Sequence, residues 1–119
     1  MAGQNLKSIQ RLNAAWHNSM AGIKACWIHE EAFRQETLIS IIGIPLAFYV
    51  GDTAIEQILL IGSLLILMIV ELLNSAVEAT VDRIGLEHHE LSGRAKDIGS
   101  AAVLFGTVLT AITWGLILL

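Results

Sequence analysis

Charged residues are scarce in this sequence. Asp, Glu, Lys and Arg make up 15% of the chain and hydrophobic residues 55%, whereas soluble domains contain about 25% charged residues. The single cysteine, Cys26, excludes an intramolecular disulfide, and we interpret it as a small apolar residue. Neither G-x-x-x-x-G-K-[ST] nor G-x-G-x-x-G occurs, so the usual glycine-rich phosphate-binding loops are absent. The deficit of charge predicts that lipid surrounds much of the chain.

Three hydrophobic stretches can cross a membrane. The stretch from Ile98 to Leu119 has no charged residue and meets the length of about 20 residues that a bilayer core requires. The other two reach this length only by including polar residues. We therefore predict an all-α membrane protein with a single domain over residues 1–119. The predicted elements are a surface helix at about 5–28, transmembrane helices at about 30–50, 54–83 and 97–119, and a cytoplasmic loop at 84–96.

The seven Lys and Arg residues predict the orientation in the membrane. Four lie before or at the start of the first span and three lie between the second and third, while the 51–53 turn and the C-terminus have none. Cytoplasmic loops carry the excess of Lys and Arg. We expect the N-terminus and the 84–96 loop to lie in the cytoplasm.

Two further patterns concern helix packing. Before the first span, apolar residues from Leu6 to Trp27 recur at three- and four-residue spacing, which predicts an amphipathic helix on the membrane surface. A helix packed on a partner subunit is the alternative. In the third span, a face of small residues predicts close contact with a neighbouring helix. These residues are Gly99, Ala102, Gly106 and Thr110.

Five polar residues of the second span form what we call the carboxylate stripe. At about 100° per residue they fall within an arc of roughly 100°. A charge in lipid costs about 2.5–3.5 kcal/mol, so the stripe should face the bundle interior or a polar cavity. Counted from Ala54, about 20 residues cross the core, which places the first stripe residues at its inner edge and the later ones in the cytoplasm. The stripe consists of Glu71, Asn74, Ser75, Glu78 and Asp82.

The depth of the stripe predicts two kinds of chemistry. A carboxylate at the apolar edge is a plausible general base, because partial desolvation makes it a stronger proton acceptor. Carboxylates further out, with Glu30 at the start of the first span, can bind Mg²⁺, and Arg94 and Lys96 could neutralise phosphate. Alternatively, Glu71 and Asn74 could join helices by hydrogen bonds.

Structural roles are the simpler interpretation of several other residues. Arg34 is four residues from Glu30, which predicts a local ion pair between the two side chains. Asp97 precedes the third span and could cap its N-terminus. The adjacent His88 and His89 are only a weak indication of a transition-metal site, because further ligands at suitable spacing are missing.

Four segments together give a more specific indication. They are Glu30–Glu36 (EEAFRQE), Glu71–Glu78 (ELLNSAVE), Val81–Gly85 (VDRIG) and His89–Asp97 (HELSGRAKD). With their spacing, these segments resemble the prokaryotic diacylglycerol kinases over nearly the whole chain. The resemblance implies a homotrimer in the bacterial inner (plasma) membrane that transfers the γ-phosphoryl group of ATP to diacylglycerol, giving phosphatidic acid. It implies active sites shared between subunits, and no nucleic acid partner is expected.

The resemblance also implies roles for individual residues. Glu71 would be the general base, supported by Asn74, and Glu30 and Glu78 would hold the Mg²⁺ that accompanies ATP. Asn18 stands where the family carries an aromatic residue, and Met20 and Ala21 also depart from its pattern. The implied ATP contacts are Arg11, Asn18, Glu30, Glu78, Glu87, His89, Lys96 and Asp97. The implied contacts with the lipid substrate are Arg11, Glu71 and Ser100.

Two other functions compete with the diacylglycerol kinase. An undecaprenol kinase is a close variant, but the Glu30–Glu36 segment resembles the diacylglycerol branch more closely. A small proton-coupled transporter would also place a Glu in a hydrophobic helix, although near the bilayer midplane. The crowding of carboxylates toward one face of the membrane argues against the transporter.

Overall fold

Residues 2–119, the part that the structure describes, fold into four α-helices. A computed structural model describes the backbone of residues 2–119 and the side chains of residues 7–119, and this part contains no strand. The predicted all-α class is therefore confirmed. Two helices of the described part, α3 (Ala54–Ile84) and α4 (Glu90–Leu118), are long and apolar enough to cross a membrane. The helices are α1 (Ala2–His29), α2 (Glu31–Val50), α3 (Ala54–Ile84) and α4 (Glu90–Leu118).

The start of α4 corrects one prediction. The helix begins at Glu90, where the ring of His89 accepts a hydrogen bond of 3.0 Å from the backbone N–H of Leu91. Asp97 lies inside the helix, so its predicted role as N-cap is wrong. The non-helical connection is Gly85–His89, shorter than the predicted 84–96 loop. The polar turns at the start of α4 continue the helix beyond its apolar part, which the hydrophobic pattern alone does not reveal.

The junction of α1 and α2 corrects a second prediction. The backbone of Glu30 is extended, with φ −119° and ψ 109°, and separates the two helices. The Nη1 of Arg34 donates to the carbonyl oxygens of Trp27 and Ile28 at 2.7 and 3.2 Å. Arg34 therefore satisfies the last carbonyls of α1. The predicted ion pair with Glu30 is wrong because the four-residue spacing applies only within one helix.

The core lies on one face of α3, which packs against both α2 and α4. By contrast, only 6% of the most apolar stretch of α4 is buried within the chain. This apolar surface therefore requires lipid or another subunit to cover it. The buried residues of α2 and α3 recur at helical spacing: Phe33, Ser40, Gly43 and Ala47 on α2, and Leu60, Ser63, Leu64, Leu67, Glu71 and Val81 on α3.

Gly99, Gly106 and Thr110 of the small-residue face contact α3 closely, as predicted, whereas Ala102 is exposed. A Cβ atom at Gly106 would lie 3.2 Å from Leu67 Cδ1 and 3.7 Å from Leu67 Cα. The hydroxyl of Thr110 donates to the carbonyl of Ser63 at 3.1 Å. Trp114 Nε1 donates to the carbonyl of Leu60 at 3.2 Å. Close backbone approach and interhelical hydrogen bonds therefore join the two helices.

Gly106→Val is expected to destabilise the helix pair. The added side chain would press on the backbone of Leu67, and overpacking of this kind costs about 1–3 kcal/mol. Gly115→Val is the matched control, because a Cβ there meets nothing within 4 Å. Thermal unfolding in detergent should show a lower melting temperature for Gly106→Val than for Gly115→Val. Equal melting temperatures would contradict the close contact.

Most of α1 lies apart from the other helices. Its side chains from Lys7 to Ala25 are exposed, and Cys26 near its C-terminal end is buried. The apolar residues of the predicted amphipathic face, Ile9 to Trp27, are exposed to an extent that fits a helix on a membrane or on another subunit. The side chain of Leu6, the first residue of that face, lies outside the described part.

Candidate functional site

The carboxylate stripe runs from the core of the protein to its surface. Glu71 is only 3% exposed, Asn74 and Glu78 are half-buried, and Asp82 is exposed. The order of exposure follows the predicted order of depth. A buried carboxylate is costly unless something compensates its charge. Glu71 therefore marks the most unusual position of the stripe.

No cation compensates Glu71 within the described residues. Its side chain makes neither an ion pair nor a hydrogen bond there, whereas Glu30, Glu36 and Glu78 lie within electrostatic range. Such a group of carboxylates is suited to receive a cation or a proton from a ligand. The absence of a bond to a neighbouring helix also argues against a role of Glu71 in joining helices.

Glu36 is a member of this group that the sequence analysis did not single out. It lies on α2 and is half-buried, and its Oε2 is buried without a hydrogen-bond partner among the described side chains. Its spacing from Phe33 and Ser40, which are both buried, could have indicated this position. Helical periodicity places residues three and four apart on one face, so Glu36 shares the face that α2 turns toward α3.

Asn74 lies beside Glu71 on the side of the stripe that faces α4. Its Nδ2 donates to Glu78 Oε1 at 3.4 Å, one turn further along α3. Its Oδ1 is buried and has no hydrogen-bond partner in the part of the chain that the structure describes. Since this bond lies within α3, Asn74 does not join two helices by a hydrogen bond among the described residues.

A groove of about 780 Å³ lies between the end of α1 and the outer part of the stripe. Glu30 and Glu78 both line it, so the structure brings together the two predicted metal ligands. Mg²⁺ is commonly held by one or two carboxylates together with substrate phosphates, and this donor set fits that pattern. No group of three or more metal-binding side chains occurs among the described residues. The other polar residues of the groove are Ser19, His29, Ser75 and Asp82.

A second cavity of about 250 Å³ lies between the end of α3 and the start of α4. Glu87, His89 and Lys96 line it, so three of the predicted ATP contacts meet here. Lys96 Nζ forms an ion pair of 2.8 Å with Asp82 Oδ1. Asp82 lines both cavities, which places the Lys96 ammonium group beside the carboxylate groove.

Apart from the buried Glu71, four predicted ATP and lipid contacts line neither cavity. All four are exposed, two on α1 and two on α4. The fold of one chain therefore does not bring them to the carboxylate groove. These residues are Arg11, Asn18, Asp97 and Ser100.

Cys26 lines the groove, and its thiol is unreactive. Its thiol is buried and donates to Ser75 Oγ at 3.4 Å. Burial raises the pKa of the Cys26 thiol above its ordinary value. The thiol stays protonated at neutral pH, and only the thiolate is an effective nucleophile. The interpretation of Cys26 as a small apolar residue is confirmed.

The chain is similar to known proteins over most of its length. The sequence model of the family described as prokaryotic diacylglycerol kinase matches residues 17–118. The diacylglycerol kinase of Escherichia coli K12 is 49% identical over 114 residues, covering 96% of this chain and 93% of the relative. That of Haemophilus influenzae is 55% identical over 100 residues, covering 84% and 85%. That of Pseudomonas aeruginosa is 46% identical over 111 residues, covering 93% and 90%. This chain therefore belongs to the prokaryotic diacylglycerol kinase family.

Proposed function

We propose that this protein phosphorylates the free hydroxyl of diacylglycerol with ATP and releases phosphatidic acid and ADP. Family membership supports the reaction class. The observation that carries the proposal is the position of the buried Glu71 beside a groove lined by Glu30 and Glu78. A base at the apolar edge and metal ligands further out match a reaction between a membrane lipid and a soluble nucleotide.

The proposed reaction assigns proton transfer to Glu71. The carboxylate accepts the proton of the lipid hydroxyl while the hydroxyl oxygen bonds to the γ-phosphorus of ATP. The bond from this phosphorus to the β,γ-bridging oxygen breaks, and its electron pair leaves with ADP. Asn74 lies next to Glu71 on the same face of α3, and its side-chain amide supports this base. Phosphoryl transfer depends mainly on positioning and charge neutralisation, so a compact site without a phosphate-binding loop can suffice.

Glu30 and Glu78 would hold Mg²⁺ at the groove. The ion would neutralise charge on the β- and γ-phosphates of ATP. Both side chains line one groove, and each supplies the oxygen ligands that Mg²⁺ prefers.

The nucleotide would extend from the groove toward the start of α4. Lys96 supplies a positive charge there and is held by Asp82, while Glu87 and His89 line the same cavity. Arg11, Asn18 and Asp97 are further proposed ATP contacts. Arg11 and Ser100 are proposed contacts of the lipid, together with Glu71.

We further propose a homotrimer with three membrane-spanning helices per protomer in the bacterial inner membrane. The exposed apolar surface of α4 supports burial in lipid or against other copies. The four exposed contacts, Arg11, Asn18, Asp97 and Ser100, would be supplied to a neighbouring protomer. The concentration of Lys and Arg before α2 and around the α3–α4 connection supports a cytoplasmic N-terminus.

The alternative functions are not favoured. The relatives in E. coli, H. influenzae and P. aeruginosa are named diacylglycerol kinases, which argues against undecaprenol as the lipid. The residues from Gln57 to Val70 of α3 include no charged side chain. A proton-coupled transporter would require a pathway to both sides of the membrane, and this uncharged stretch does not supply one.

ADP release by the purified protein in mixed detergent–lipid micelles tests the proposed function. We expect turnover that requires both Mg-ATP and a short-chain diacylglycerol. Undecaprenol in the same micelles should give much slower release. Folded protein without diacylglycerol-dependent turnover would contradict the proposal, and faster release with undecaprenol would favour that lipid instead.

A further inference from the structure

Gly99 on α4 lies directly against Asn74 on α3. A Cβ atom at this position would collide with Asn74 Oδ1 and would lie 3.3 Å from its Cγ. Gly93 and Gly115 on the same helix would each carry a Cβ without meeting anything within 4 Å. Gly99 is thus the glycine of α4 whose missing side chain makes room for a residue of the carboxylate stripe.

The Asn74 amide is held at its two ends by different means. Nδ2 donates to Glu78 Oε1 at 3.4 Å, whereas Oδ1 is buried and accepts no hydrogen bond within the described residues. A hydrogen bond therefore does not fix the position of Oδ1. Its contact with Gly99 does so by packing, which keeps Nδ2 directed at Glu78.

A methyl group at position 99 would displace the amide rather than separate the helices. Further along the same interface, Gly106 lies against the backbone of Leu67, and Thr110 donates to the carbonyl of Ser63. Separating α3 from α4 would weaken both contacts. The Asn74 side chain is short, with its amide directly on Cβ, so it cannot yield without moving the amide itself.

We propose that Gly99 is a positioning residue for Asn74, whose lack of a side chain holds the Asn74 amide on Glu78. This inference rests on the proposed function, which assigns Asn74 and Glu78 to the base and metal sites. Gly99 itself touches neither substrate. A displacement of about 1 Å in a positioned group can reduce turnover by about a hundredfold.

Gly99→Ala tests the inference, with Gly115→Ala as the matched control on the same helix. We expect kcat with Mg-ATP and diacylglycerol to fall about ten- to a hundredfold in Gly99→Ala and to change less than about twofold in Gly115→Ala. In ¹⁵N-labelled protein, the side-chain amide resonance of Asn74 should move in Gly99→Ala and stay in place in the control. The resonance is assigned by its loss in Asn74→Asp.

Several outcomes would overturn the inference. One is an equal kcat in Gly99→Ala and in Gly115→Ala. Another is a lower kcat in Gly99→Ala while the side-chain amide resonance of Asn74 stays in place. If Gly99→Ala fails to fold, adding Asn74→Ala should restore folding, because the methyl group then has no side chain to meet. A double variant that stays unfolded would also overturn it. An inactive parent protein would contradict the proposed function, while the resonance would still test the contact.

Discussion

Glu71→Gln is expected to abolish phosphoryl transfer and leave the fold intact. Gln has the shape of Glu but cannot accept the hydroxyl proton, and loss of a general base costs about 10²–10⁴ in rate. The parent carboxylate is 3% exposed, has no cation partner in the described part, and lies near three other carboxylates. Neutralising it removes a buried charge, so the variant should unfold at the same or a higher temperature.

The Glu71→Gln experiment has a control on the same helix. Glu56 lies in the first turn of α3, at the opposite end from the groove, and Glu56→Gln should keep turnover within about twofold. ADP release and thermal unfolding are measured for both variants and the parent. Turnover of Glu71→Gln within tenfold of the parent would remove Glu71 as the base, and a sharply lower melting temperature would assign it a structural role.

Glu78→Gln is expected to shift the Mg²⁺ dependence of the reaction. Gln keeps an oxygen that can accept the hydrogen bond of Asn74 but loses the negative charge that attracts the ion. A change in the ligand environment of a metal costs about 10–100-fold in affinity. The Mg²⁺ concentration for half-maximal turnover should rise by at least tenfold, and excess Mg²⁺ should restore part of the activity.

Glu71→Gln and Glu78→Gln should differ in their effect on Mg-ATP binding. Glu71→Gln should bind Mg-ATP with nearly the parent affinity, since the carboxylate does not line the groove. Glu30→Gln should behave as Glu78→Gln does, because both carboxylates line it. Glu56→Gln again serves as the control. An unchanged Mg²⁺ dependence in Glu78→Gln would remove this residue from the metal site.

Local periodicity predicted the part of the site that lies on one helix. The carboxylate stripe was predicted from the helical repeat and the length of the span, and the exposure of its side chains rises in the same order, from the buried Glu71 to the exposed Asp82. The pairing of Glu30 and Glu78 in one groove needed the fold. The spacing of Glu36 from Phe33 and Ser40 could have indicated the face on which it lies, but its proximity to Glu71 depends on the register of α2 against α3.

The wrong predictions have local causes. The N-cap of α4 is His89, which is outside the set of residues that usually cap helices, and the polar turn after it has no apolar repeat. The break at Glu30 involves neither Gly nor Pro, so the four-residue spacing to Arg34 was misleading. Arg11, Asn18, Asp97 and Ser100 were assigned by family resemblance, and their roles stay predictions.

The contact of Gly99 with Asn74 shows what sequence patterns leave undetermined. A face of small residues on α4 predicted close packing but not the residue of α3 that each glycine meets. That pairing depends on the axial position of α4 relative to α3, which the pattern of residues along a single helix does not predict. The side chain brought against Gly99 belongs to the proposed site, which joins helix packing to catalysis.

Transfer of radiolabel from [γ-³²P]ATP to lipid by the purified protein is the most direct test of the proposed function. With Mg²⁺ and diacylglycerol, the label should appear in phosphatidic acid, identified by its mass, and Glu71→Gln should leave the lipid unlabelled. Label released only as inorganic phosphate, or lipid labelled equally by Glu71→Gln, would contradict the account.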